Sequence, residues 1–237
     1  MTGNCEPDLV RIDAGQGRSV EIAVQVSARA RRLSLRVDPV RGGVILVLPS
    51  RRHRPEGLRF AESRAGWILS RVARVPDRVP FADGASVPVL GVPHTVRHLP
   101  DSRRLLTLAE GEIRVGGPPA LVERQVTMWL RAEARRMLVP RSEAAAARIG
   151  STVAKVTVRD TRSRWGSCSS TGALSYSWRL VLAPEHVLDY VVVHEVAHLR
   201  ELNHGPRFWG LVADLMPNHA SARRWLKANG AALHRYG

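Results

Sequence analysis

Tyr190-Val-Val-Val-His194-Glu195-Val-Ala-His198-Leu-Arg-Glu-Leu-Asn-His204 is the stretch of this chain whose residue types and spacing could do chemistry. Within it lies H-E-x-x-H. On a helix this places His194 and His198 on neighbouring turns of one face, so that both imidazoles can bind one Zn²⁺ while Glu195 reaches a water beside it. Such an arrangement activates water for hydrolysis. Stepping about 100° per residue from His194, the residues Val187, Tyr190, His198 and Glu201 share its face, and Leu188, Val192, Val196 and Leu199 cover the opposite side. A helix apolar nearly all round belongs in a core. Two buried imidazoles and a carboxylate there would be costly without a shared partner. Pro184-Glu185 suits a helix start and Asn203, Gly205 and Pro206 are stop signals, so the pattern predicts a helix from Pro184 to Leu202.

A third ligand has two candidates. Glu201 lies on the metal face, but seven residues from His194 is roughly 10 Å of rise along a straight helix, too far for both side chains to meet one ion. His204 would be rotated about 80° away if the helix continued. The sequence favours His204. Asn203 tolerates a left-handed turn, and Gly205-Pro206 forbid a regular continuation, so a reversal after Leu202 can bring His204 under the metal. The spacing equals that of H-E-x-x-H-x-x-G-x-x-H, with Glu201 where that pattern has its glycine.

The elements that must position these residues follow from the rest of the chain. At 237 residues with 44% hydrophobic content it can bury a real core. Residues 1–17 read as a flexible leader with neither a basic start nor an apolar run, so no signal or transit peptide is expected. No window approaches the ~18 apolar residues of a membrane span. Cys5 and Cys168, the only cysteines, make a disulfide framework unexpected, and the cytoplasm is the default compartment.

Ser19 to Val26, Arg32 to Val37 and Gly43 to Leu48 have strand-like patterns, read as a small antiparallel sheet. Pro55 opens a helix to about Val75, with Leu58, Ala61, Ala65, Ile68 and Leu69 on its buried stripe and Trp67 expected in the core. Val87 to Leu90, His94 to His98, Leu105 to Leu108 and Glu112 to Val115 read as short strands, with His94 and His98 on the surface. Gly116-Gly117-Pro118-Pro119 is the clearest linker. Beyond it, Val126, Leu130, Ala134, Met137 and Leu138 mark a long helix that Pro140 should kink or split and Gly150 should end.

Two more strands, Ala154 to Arg159 and Ala173 to Val181, flank the loop Arg162-Ser-Arg-Trp-Gly-Ser-Cys-Ser-Ser-Thr-Gly172. Its small polar residues around Arg164 and Trp165 suit a cleft lining. Phe208 to Leu215 form an amphipathic helix, and Asn218 can cap a last one that Asn229-Gly230 should stop. The class is therefore α+β. Residues 18–117 are expected to form an N-terminal β-rich part and residues 118–237 a compact core around the buried HExxH helix.

Ser163-Arg-Trp-Gly-Ser-Cys168, Trp178-Arg-Leu, Asp189 through Leu199, and Asn203-His204-Gly-Pro-Arg-Phe208-Trp209 together resemble the YgjP-like metallopeptidase family. The resemblance runs from about Arg31 to about Leu226. His204-Gly-x-x-Phe208 also resembles the SprT-like proteases, a neighbouring zincin group linked to DNA-protein crosslink repair. It implies a compact, minigluzincin-like zincin core with zinc at His194, His198 and His204 and with Glu195 catalytic. Some relatives are associated instead with metal-dependent hydrolysis of nucleoside triphosphates.

The expected function is thus a zinc metallopeptidase in which Glu195 serves as general base on a peptide or protein substrate. An extended substrate could pair with strand Ala173 to Val181. Arg164 and Tyr190 are candidates to stabilise the oxyanion, and Trp165 and Arg179 to contact substrate. A nucleoside triphosphate is the rival substrate, gripped by Arg164, Arg179 or Arg207, although no Gly-rich phosphate loop supports it. The net charge of +15 also admits non-specific nucleic-acid binding through a basic surface, with the zinc purely structural; a closed structural site would not need Glu195.

Overall fold

The computed structural model describes residues 8–13, 18–38, 42–73 and 77–237. By internal packing the chain forms two compact units, Met1–Arg78 and Val79–Gly237, where the sequence patterns alone suggest a division at 117/118. Val79 belongs with the later residues because its N–H donates to the Arg235 carbonyl and it bridges Tyr236.

In the first unit β1 (Asp8–Asp13), β2 (Ser19–Val26), β3 (Ser34–Val37) and β4 (Val44–Leu48) form a sheet in the order β1-β2-β4-β3. The stretch expected to be a leader therefore contains a strand. The alternation that buries Ile12 and pairs it with Val20 was too short to stand out beside its charged neighbours. Residues 1–7, Cys5 among them, and 14–17 lie outside the described residues. Nor is the sheet antiparallel throughout, because β2 and β4 run parallel in its middle.

Two helices cover this sheet, α1 (Arg54–Ser63) and α2 (Ala65–Val72), where one was expected. At Arg64 the N–H bonds back to Ala61, an i→i+3 closure that interrupts the ladder. Ala61 and Ile68 reach the core with Ile22, Leu46 and Leu48. Trp67 does not. It is 40% exposed, with the Arg71 guanidinium 5.7 Å from its ring, because the small residues Ala61 and Ala65 already fill the face toward the sheet.

The second unit opens with β5 (Ser86–Val89), β6 (Val92–Leu99), β7 (Leu106–Ala109) and β8 (Glu112–Gly116), in the order β5-β6-β8-β7. Its middle pair, β6 and β8, is again parallel. Then comes α3 (Val122–Arg148), whose stripe Val126, Leu130, Ala134, Met137 and Leu138 is buried as the pattern requires. Pro140 does not split this helix, which stays continuous across it. Burial along the stripe on both sides of Pro140 outweighs the one backbone bond that a proline forfeits. Gly150 ends it at φ 63°, with the Ser151 N–H on the Ala146 carbonyl and the Gly150 N–H on that of Ala147.

A three-stranded sheet follows, β10 (Gly166–Cys168), β11 (Ala173–Ser177) and β9 (Lys155–Arg159), with β11 in the centre. The strand expected to run to Val181 stops at Ser177, and Trp178–Leu182 coil into a buried 3₁₀ turn. Its alternation was misleading because both faces are buried, Ser177 and Arg179 included. The helices α4 (Glu185–Ala197), α5 (Pro206–Leu215) and α6 (His219–Leu233) complete an α+β unit with the helical core packed on this sheet. Arg141 of α3 bonds Asp189 and Glu185, which ties α3 to α4. No helix among the described residues is long and apolar enough to cross a membrane.

Candidate metal centre

Helix α4 is buried on nearly every side, as its apolar pattern demands, and it carries His194 and Glu195 in its last turn. It ends at Ala197, earlier than Leu202. The Leu199 and Arg200 N–H groups bond back to Val196 and Ala197 in tightened turns, and a nitrogen of the His198 ring, Nδ1, donates to the Glu201 carbonyl at 3.0 Å. The reversal thus begins at His198, and Asn203 is only its far end. Leu202 is 71% exposed on the outside of this loop.

Within the loop His204 swings back until its Nε2 lies 3.0 Å from Nε2 of His194. One ligand nitrogen from each of His194, His198 and His204 lies within 4.8 Å of the others. Glu201 contributes its carbonyl and no carboxylate ligand. Two lone pairs pointed at each other at that distance are repulsive unless a proton or a cation lies between them. Tetrahedral Zn–N bonds of ~2.0–2.1 Å would hold such nitrogens about 3.3 Å apart, close to what is found. Because the His198 Nδ1 proton is committed to Glu201, its Nε2 keeps a free lone pair. Nδ1 of His194 is buried without a partner, and the ring is held instead by packing, 5.0 Å from Phe208 and 5.9 Å from Tyr190. Burial first, and then the neighbouring His198, His204 and Arg223, push His194 down to about 4, so it is neutral and able to ligate at physiological pH. These three side chains fit a metal ion.

Phe208 is the floor of the site. Fully buried on α5, its ring lies 4.6 Å from both His198 and His204. The amphipathic pattern of α5 made Phe208 legible as core but not as the surface against which three imidazoles are set.

Glu195 is 6% exposed, and burial pushes its carboxyl up to about 7, with Arg164 acting in the opposite sense. It abuts Gly166. A Cβ at that glycine would sit 2.5 Å from Cγ and Oε1 of Glu195, so only glycine lets β10 pass this close to the carboxyl. The sequence reading missed Gly166; a glycine directly after Trp165 in the loop expected to line a cleft was the available signal. Gly166→Ala is expected to lower kcat about a hundredfold by displacing the Glu195 carboxyl by an ångström or more, with metal content unchanged. Paired kinetics and metal analysis check this, and undiminished kcat would mean that the carboxyl has room to spare.

Beside the histidines, Arg164, Trp165, Gly166, Tyr190, Val191, Glu195 and Leu226 line a cavity of about 240 Å³. Arg164 and Trp165 come to this cavity from the loop read as a cleft lining, and Tyr190 comes to it from α4. Trp165 is also packed, lying 4.9 Å from His234 and against Gly230. Asn229-Gly230, expected to stop α6, instead lies within it, because the missing side chain at Gly230 is the seat of the Trp165 indole. Arg179, expected to contact substrate, is instead buried and outside the cavity lining. Its Nε bonds Asp160, its Nη1 bonds the carbonyls of Leu233 and Tyr236, and its guanidinium lies 4.4 Å from the Trp178 ring, so this arginine is 7% exposed and fastens the C-terminal segment. Likewise the central strand β11 is paired on both sides, so the free edge beside α4 belongs to β10. Cys168 on β10 is outside the ligand cluster, its thiol pushed up by burial and then by Glu195. His94 and His98 bond backbone carbonyls far from this cluster in the chain.

The model of the family described as YgjP-like, metallopeptidase domain, matches residues 31–229. No curated protein matches the chain. Among solved structures, the crystal structure of the metallopeptidase zymogen of Pyrococcus abyssi abylysin matches at 21% identity and a TM-score of 0.35, over 39% of this chain and 94% of that one.

Proposed function

The chain belongs to the YgjP-like metallopeptidase family, and from that membership we propose a zinc peptidase that uses His194, His198 and His204 as ligands and Glu195 as general base. The convergence of three imidazole nitrogens within 4.8 Å, next to a buried glutamate, carries this reading. Imidazole ligands favour zinc over the hard cations Mg²⁺ and Ca²⁺. Bound zinc would supply Lewis acidity, both toward a substrate carbonyl and toward a water whose pKa it lowers to about 7.

The chain's own groups do the rest. Glu195 accepts the proton of the attacking water and passes it to the leaving amine, a transfer for which a carboxyl poised near neutrality is suited. Gly166 keeps that carboxyl against β10, whose free edge offers main-chain donors and acceptors to an extended peptide. Tyr190 and Arg164, both lining the cavity, are placed to donate to a developing oxyanion. The nucleoside triphosphate alternative loses Arg179 as a phosphate ligand and gains no phosphate loop. Net charge by itself carries no nucleic-acid reading.

Chelation followed by addition of single metals tests the proposal. Hydrolysis of an unfolded protein should vanish with the metal and return with zinc, not with Mg²⁺ or Ca²⁺. Zinc at about a thousand times its Kd should also raise stability by about 4 kcal/mol, seen as a higher Tm. Turnover of nucleoside triphosphates with no proteolysis, under the same loading, would reassign the substrate.

A further inference from the structure

One cation beside the site has no role in this scheme. Arg223 projects from α6, exposed to solvent, with its guanidinium carbon 4.6 Å from the Trp209 ring. Trp209 is itself fixed. Its ring lies 6.1 Å from both His194 and His204, 5.2 Å edge-on from Phe208, and 5.9 Å from His219, stacked at 22°. No carboxylate pairs with Arg223 among the described residues. One turn further along α6, Leu226 lines the cavity beside His194 and Glu195.

This placement is electrostatically adverse in the free protein. An arginine held near three imidazoles that can gather a divalent cation adds like charge to like. A solvated arginine with no other duty would turn away, whereas stacking on an indole fixes both position and plane. Stacking occupies the face of the guanidinium and leaves its edge, with the N–H donors, free for a bidentate oxyanion. Arg164, by contrast, lines the cavity itself. The cavity's volume of about 240 Å³ and its walls of Trp165, Tyr190, Val191 and Leu226 suit a single side chain or a chain end.

We propose that Arg223, stacked on Trp209, determines specificity by binding a carboxylate of the peptide substrate, carried on an Asp or Glu side chain or at the peptide's C-terminus. The proposal depends on the peptidase reading above. Binding a group that does not react, Arg223 should stabilise ground and transition states alike, so its loss should appear in KM and leave kcat nearly intact.

The test uses the zinc-loaded full chain and two libraries of decapeptides, one contrasting Glu with Gln at each position and one contrasting a C-terminal acid with its amide. The parent should prefer the carboxylate member by about ten- to a hundredfold in kcat/KM, as expected for a charged hydrogen bond. Arg223→Gln should abolish that preference through KM, and Arg223→Lys should restore part of it. Preference in the first library assigns the carboxylate to a side chain, and preference in the second to the C-terminus. Absence of preference in the parent, or a preference that survives in Arg223→Gln, overturns the proposal. Should no peptide be cleaved at all, the peptidase reading fails separately. Binding of the same peptides to the zinc-loaded Glu195→Gln form then decides the role of Arg223, by whether affinity discriminates Glu from Gln and acid from amide.

Discussion

Glu195→Gln is expected to keep the bound metal and to lower peptide hydrolysis by about a hundred- to ten-thousandfold, the usual contribution of a positioned general base. Glutamine fills the same space against Gly166 but has no basic oxygen to take the proton of water. Steady-state kinetics alongside metal analysis read both halves, and parental turnover in the variant would falsify the assignment of the base. Stability gives a second readout on the metal-free protein. Burial raises the folded-state pKa of Glu195 from 4.5 to about 7. The stability of the neutral carboxyl is then fully present below pH 4.5 and is lost as pH rises through 7. At pH 8 the metal-free parent buries a carboxylate that the variant lacks. Metal-free Glu195→Gln should therefore be more stable there by about 3 kcal/mol and about equal to the parent at pH 4. Equal melting at both pH values would mean that water reaches the carboxyl freely.

The third ligand yields the other large effect. His204→Ala should weaken zinc binding by more than about a hundredfold, since losing a ligand outright exceeds the ten- to hundredfold cost of disturbing a ligand's outer hydrogen-bond partner. Glu201→Ala should leave affinity nearly unchanged. What Glu201 gives the site is its carbonyl, which receives the His198 proton at 3.0 Å, and alanine keeps that carbonyl. Competition with a chelating dye measures both variants, and the opposite ranking would hand the position to Glu201. Structural zinc content alone cannot mimic this contrast, because both residues lie in the same short loop.

Much of this site could be read from residue types. The HExxH stretch, the apolar girdle of α4, the alternatives of Glu201 and His204, and the cleft residues Arg164 and Trp165 follow from spacing and chemistry. Strand positions between Ser86 and Gly116 and the buried stripe of α3 were equally legible, because their periodicities extend over several residues. What escaped were features set by partners distant in sequence. Gly166 and Gly230 look like ordinary turn or stop glycines until Glu195 and Trp165 are seen to occupy the missing side chains' space. Trp178–Leu182 alternates like a strand, yet backbone and side-chain anchors from Asp160, Leu90 and the C-terminal segment coil it. Arg179 shows the limit most clearly. An arginine beside a motif suggests a substrate ligand, and nothing local reveals that its Nε and Nη1 are bonded to Asp160, Leu233 and Tyr236.

The bridge between Val79 and Tyr236 bears on how the molecule is made. Met1–Arg78 contains its own sheet and covering helices, so it can fold while the ribosome is still adding the remainder. The second unit is closed by contacts between its first residue and nearly its last, reinforced where Arg179 holds the carbonyls of Leu233 and Tyr236. Helix α6, which seats Trp165 and supplies Leu226 to the cavity, emerges after all three histidines. A nascent chain halted after His204 would hold every proposed zinc ligand and the general base, yet lack Phe208 beneath the imidazoles and one wall of the cavity. Translation order thus withholds the assembled site until α5 and α6 have followed the histidines out of the ribosome.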